Sequence, residues 1–145
     1  MYLRDADDDA TANCGGRWRM PTNNEQEELV NNCYWVWTSN YSNTNTAGYI
    51  IYKAKSESDK GAIVYSGDTP SDNYSLSDTH IFLAAAGRRY DGALSGAGTD
   101  GYYWLFLAYT YDEFLVLELS FSSNNRFADG FDDHCYGQSV RAVCK

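Results

Sequence analysis

Beyond residue 33 the chain holds no further long segment of helical periodicity, and that confines it to a fold built largely from short strands. The clear helix signal lies just ahead of that point. In Pro21-Thr22-Asn23-Asn24-Glu25 a threonine precedes a glutamate by three residues, which is a capping box, and Leu29, Val30 and Cys33 follow at helical spacing. A short amphipathic helix is predicted over about residues 22 to 33. Acidic residues in Asp7-Asp8-Asp9 suit the positive end of a helix dipole, so an earlier helical turn is predicted through Ala12, with Gly15-Gly16 ending it. From Tyr34 onward, β-prone pieces at 34–38, 49–54, 62–66 and 80–84 alternate with clusters of Asn, Ser, Gly and Asp. The clearest strand is Leu115 to Phe121, where every odd position is apolar while Glu118 and Ser120 point the other way, so one face is expected to be core. Residues 66–79 read as a long surface loop.

A chain of 145 residues with 43% apolar content can bury a real core and is read as a single domain over 1–145. Its 13 Tyr and 4 Trp suit a compact, loop-rich arrangement of strands. With 20 acidic against 11 basic residues the formal charge is -9, which repels phosphate and leaves no basic stripe, so no nucleic-acid partner is expected. The start, Met1-Tyr2-Leu3-Arg4-Asp5, runs into acidic residues without an apolar stretch; neither a signal peptide nor membrane insertion is expected from it.

The patterns that carry reactive chemistry are incomplete. Asp5-x-Asp7-x-Asp9 matches the opening of a calcium loop, but Ala10 stands where the turn glycine belongs and Gly16 where the closing acid belongs. His80 and His134 have no partner at ligand or triad spacing; His80 opens a strand and is read as structural, and His134 beside Cys135 on an extended chain would point to the opposite face. Cys14, Cys33, Cys135 and Cys144 show no CxxC spacing, which argues against zinc and leaves both thiols and disulfides open. The glycines of Ala86 to Gly92 and Gly96 to Gly101 precede no helix, so they are turns and not a phosphate cradle. No metal, no cofactor and no catalytic residue is expected.

The last third differs in character. Phe106, Tyr109, Tyr111, Phe127, Phe131 and Tyr136 are interleaved with Asp112, Arg126, Asp129, Asp132 and Asp133, without clean alternation. Rings offer large contact area at low entropic cost and charges offer orientation, the combination found at binding hot spots.

Four stretches then resemble a known family in order and spacing: Asp9-Ala10-Thr11-Ala12-Asn13-Cys14-Gly15-Gly16-Arg17-Trp18-Arg19-Met20-Pro21-Thr22, Ile81-Phe82-Leu83-Ala84-Ala85-Ala86-Gly87, Gly101-Tyr102-Tyr103-Trp104, and Tyr136-Gly137-Gln138-Ser139-Val140-Arg141-Ala142-Val143-Cys144. Over about residues 9 to 144 the chain resembles the Fibrobacter-type major paralogous domain, a C-type-lectin-like family of bacterial surface proteins. The resemblance implies an α+β, C-type-lectin-like fold, with short helices and a loop-rich, mostly antiparallel sheet. It also implies a setting on a cell or virion surface.

The family includes variable proteins of diversity-generating retroelements, in which a reverse transcriptase rewrites the adenines of a C-terminal cassette and so diversifies a ligand-binding face. Here departures from the family pattern gather between Trp104 and Gly137, at Leu105-Phe106-Leu107 and at Phe131-Asp132-Asp133-His134-Cys135-Tyr136. Rewriting adenines of an asparagine codon cannot yield Lys, Gln, Trp or Met, and none of the four occurs from Leu105 to Tyr136; Glu113 and Glu118 would have to be fixed.

By this resemblance the variable region is about 104–137. Its ligand-contacting residues would be Leu105, Phe106, Leu107, Tyr109, Tyr111, Arg126, Phe127, Asp129, Phe131, Asp133, His134, Cys135 and Tyr136. The ligand is expected to be a protein, since a broad exposed face with aromatic residues suits a flat partner. Cys33 and Cys144 occupy recurring family positions and would form a disulfide, whereas Cys14 stands where the family has Trp. Calcium-dependent sugar binding is not implied, because the Glu-Pro-Asn or Gln-Pro-Asp and Trp-Asn-Asp tripeptides are missing. Two alternatives remain. One is an undiversified adhesive surface domain. The other is a formylglycine-generating-enzyme-like oxidase, suggested by Trp18 to Glu25, although Cys135 and Cys144 lack the surroundings of that enzyme's copper-binding pair.

Overall fold

A computed structural model describes residues 8–108 and 115–144, with side chains for 8–106 and 115–144. The protein is mixed α+β, mostly sheet, with two short α-helices among the described residues. These are α1 (Asp9–Cys14) and α2 (Asn23–Asn32). Both start where the sequence predicts. Thr22 and Glu25 form the capping box of α2, with the Thr22 hydroxyl accepting from the Glu25 N–H and Glu25 Oε2 accepting from the Thr22 N–H at 2.9 Å. Asp8 caps α1 by accepting from the N–H groups of Ala10 and Thr11, and its carboxylate also takes the Met20 N–H, so one fully buried side chain ties the helix to the segment after it. Gly15, at φ 90°, ends α1 with its N–H on the Thr11 carbonyl.

Strands β1 (Trp18–Arg19), β2 (Cys33–Thr38), β3 (Gly48–Lys53), β4 (Ile63–Val64) and β5 (His80–Ala84) precede a hairpin, β6 (Arg88–Tyr90) and β7 (Ala93–Ser95). There follow β8 (Asp100–Ala108), β9 (Leu115–Ser122), β10 (Asn125–Asp133) and β11 (Val143–Cys144). A four-stranded sheet runs β4-β2-β3-β5, with β4 parallel to β2 and the other pairs antiparallel. A three-stranded antiparallel sheet runs β10-β9-β8, and β1 pairs with β11, bringing the segment after α1 against the last strand.

Alternation along β2 and β3 sorts their side chains into two layers. Trp35, Tyr49 and Ile51 join Leu83 of β5, Val30 of α2, and Tyr103, Leu119 and Phe121 of the second sheet in the main core. Tyr49 sits at its centre, edge-on to Trp35, Trp37 and Phe121, with its hydroxyl on the Ser122 carbonyl. Tyr34, Val36, Ile50 and Tyr52 face the other way, where the 66–79 loop covers them through Tyr74, stacked on Tyr34 at 4.4 Å. His80 bridges the Tyr41 hydroxyl and the Asp78 carbonyl, a structural role.

The expectation of one core face on β9 needs correcting. Leu119 and Phe121 are buried in the main core, but Val116 and Glu118, on the opposite face, are buried as well, and Leu115 and Leu117 are only half-buried. Glu118 does not point to solvent. The second face is covered by Trp104, α1, Met20 and the C-terminal residues Tyr136, Val140 and Ala142. The expected Cys33–Cys144 disulfide is not formed in this structure: all four cysteines are free, Cys33 opening β2 against the main core and Cys144 lying exposed in β11, opposite Trp18. Burial raises the Cys33 thiol above its ordinary value.

Candidate ligand-binding face

The segment expected to vary begins in β8, directly after Gly101-Tyr102-Tyr103-Trp104, and each of those four residues is fixed by its surroundings. A Cβ on Gly101 would lie 2.1 Å from the Phe121 ring, so only glycine lets that ring pack. Tyr102 lies on the Arg88 guanidinium, Tyr103 gives its hydroxyl to the Ala84 carbonyl, and Trp104 is buried against Met20 and Val116. Backbone bonds from Trp104 N–H to Ser139 O and from Ser139 N–H to Tyr102 O lock this stretch to the C-terminal one.

The candidate residues then divide. Leu105 is 2% exposed and belongs to the core, so it is not on a binding face. Phe106 is half-buried against the Trp104 cluster, with its N–H on the Pro21 carbonyl. Tyr109 and Tyr111 lie outside the described residues, as does the side chain of Leu107. On β10, Phe127, Asp129, Phe131 and Asp133 are exposed and alternate with the half-buried Arg126, Ala128, Gly130 and Asp132. His134 and Cys135 follow as exposed residues in the turn that Tyr136 N–H closes onto Asp133 O.

Two further candidates belong to the scaffold. Arg126 lays its guanidinium over the Trp35 ring at 4.7 Å, and burial lowers its pKa. Tyr136 is half-buried; its ring lies 4.4 Å from the Arg88 guanidinium and 4.9 Å from the Tyr90 ring. Polar residues draw such rings inward here, and composition alone does not reveal it.

Beneath the exposed residues lies a polar cluster that sequence reasoning missed. Arg88, whose guanidinium lies over the rings of both Tyr102 and Tyr136, donates to Asp132 Oδ2. Gln138 Nε2 donates to the same oxygen at 3.2 Å and to Glu118 Oε2 at 2.5 Å. Glu118 is 5% exposed; burial raises its pKa, and the Gln138 hydrogen bond opposes that shift. A Cβ at Gly130 would lie 2.9 Å from Glu118 Cγ, so Gly130 is what lets the carboxylate fit under β10. These residues come from five separate segments, and no local pattern could have joined them. The one usable signal was Glu118 itself, an acid inside an apolar strand.

Among the described residues no group of three or more His, Cys, Asp or Glu is arranged to hold a metal ion. No helix among them is long and apolar enough to cross a membrane. In the Trp18 to Glu25 stretch, Arg19 and Glu25 form a two-pronged ion pair at 2.7 and 2.8 Å, which holds the Glu25 carboxyl down to about 2 and serves the helix cap. Comparison with protein-family models, with curated proteins and with solved structures finds no match to this chain.

Proposed function

We propose that the protein is a ligand-binding module with a C-type-lectin-like fold, and that its partner, a protein, docks on the far half of β10 and the turn after it. One observation carries this reading. Phe131, 52% exposed, stands beside Asp133, His134 and Cys135 at the surface, on a strand whose other side is clamped by Asp132, Gln138 and Glu118. An exposed ring beside charges on a pre-ordered strand loses little entropy on binding, which is what a hot spot requires.

The further reading, that these positions are diversified by a retroelement, rests on the family resemblance. It is supported by Glu118, a residue that has to be fixed under that scheme and that is buried and hydrogen-bonded. The undiversified surface domain uses the same face and differs only in its genetics. Sequencing the DNA flanking the gene separates the two: a near-copy of its 3′ end, differing at adenines and lying beside a reverse transcriptase, is the expected result. The binding reading itself is tested by displaying a library randomised at Asp129, Phe131, Asp133, His134 and Cys135. Most members should melt as the parent does and yield binders to unrelated protein targets. A library that is mostly unfolded would overturn the proposal.

A further inference from the structure

Between α2 and strands β5, β8 and β9 lies a cavity of about 130 Å³. Its walls are apolar, formed chiefly by Leu29, Ile81, Leu83, Tyr103, Leu105 and Leu119, and the exposed Arg141 marks its rim. Gln26, 3% exposed, is also in the wall. Its Nε2 is spent on the Ala128 carbonyl, while its Oε1 is buried without a hydrogen-bond partner. Of the other polar wall groups, the Tyr103 hydroxyl is on the Ala84 carbonyl and Glu25 is on Arg19, while the Trp104 indole and the Arg141 guanidinium are donors and not acceptors.

A buried acceptor left unmet is unfavourable, and native proteins rarely keep one without a reason. A lone water on Gln26 Oε1 would find few of the two to four polar partners that an ordered water needs, because the wall is almost wholly apolar. The volume is close to that of engineered apolar cavities, on the order of 150 Å³, that take up benzene. We infer that this cavity is a binding site for a small neutral molecule with a compact apolar body and a single O–H or N–H group, of phenol or aniline type, that donates to Gln26 Oε1. The site lies on the core side of the sheet, the side to which Phe131 also belongs through its pairing with Leu117, but its wall is formed by other residues.

Titration with phenol, and with toluene as the isostere lacking the donor, tests it on the whole protein. Phenol should raise the melting temperature saturably and bind about tenfold more tightly than toluene. Gln26→Leu should remove that preference, and Leu29→Phe, which fills the cavity, should remove binding of both. If these variants fail to fold, the wild-type protein still decides: phenol should shift the NMR signals of the Leu83, Leu105 and Leu119 methyls and the Trp104 indole. No saturable binding, equal affinity for the two probes, or shifts confined to other residues would each overturn the assignment.

Discussion

Phe127 and Phe131 are both exposed and only four residues apart on β10, yet they project from opposite faces of the sheet. Phe127 is paired with Ser120 and Phe131 with Leu117, positions of opposite parity on β9, because Ala128 and Asp129 together stand opposite Leu119 alone. That extra residue is a β-bulge, and it turns every later side chain over. A ligand seated on Phe131 therefore does not reach Phe127. With any protein partner selected on the face described above, Phe131→Ala should weaken binding by tenfold or more, as loss of a hot spot of about 2 kcal/mol does. Phe127→Ala should change the affinity less than twofold. Calorimetric titration of both variants checks this, and equal losses would mean that the register assigned to β10 is wrong.

Arg126 illustrates why a charged residue in a diversified-looking segment need not contact ligand. Its guanidinium covers Trp35 and one of its nitrogens reaches the Gly61 carbonyl at 3.5 Å. Arg126→Ala is expected to cost about 1 to 2 kcal/mol of folding stability through lost packing and cation–π contact. Asp129→Ala, on an exposed side chain of the same strand, should stay within about 0.5 kcal/mol. Urea denaturation of the two variants measures the contrast.

The four thiols give a chemical test of the core. Cys14, Cys135 and Cys144 are exposed, whereas Cys33 is half-buried with its thiol pushed up by burial. Since the thiolate is the reactive form, an aromatic disulfide reagent at neutral pH should label three cysteines quickly and Cys33 slowly. Denaturant should bring Cys33 to the rate of the others. A fraction of protein with two thiols that stay unreactive after denaturation, until a reductant is added, would restore the Cys33–Cys144 bridge.

Much of the frame was legible before any coordinates, because its signals are local. The Thr22–Glu25 cap, the Gly15 stop, the β-prone runs of β2 and β3 and the apolar odd positions of β9 each involve residues within a few positions of one another. What escaped was everything fixed at long range. β8 and β10 read as irregular aromatic stretches because both faces of their sheet are covered in part, and a bulge breaks the period of β10. Arg88 and Asp132 are 44 residues apart, so nothing in the order of the chain predicts their ion pair. The candidate face suffered most for that reason: the sequence nominates polar and aromatic residues alike, and only burial and long-range contacts separate Phe131 and Asp133 from Leu105, Arg126 and Tyr136.

Glu118 offers the sharpest test of the scaffold, because its burial has a sign in pH. Its folded-state pKa is raised, chiefly by burial, so the folded protein holds that proton more tightly than the unfolded chain does. Stability from this group is therefore fully present below the unfolded carboxylate value, about 4.3, and is lost as pH rises through the raised folded value. Glu118→Gln abolishes that titration yet keeps an oxygen to accept from Gln138. Wild type and variant should melt together near pH 4, and the variant should pull ahead by about 3 °C near pH 7.5, the shift that roughly 1 kcal/mol produces in a domain of this size. Gly130→Ala, which drives a methyl group into Glu118, should lower stability at both pH values. Melting curves that run parallel for wild type and Glu118→Gln across this range would show that the carboxylate is solvated, and that β10 is not clamped from beneath.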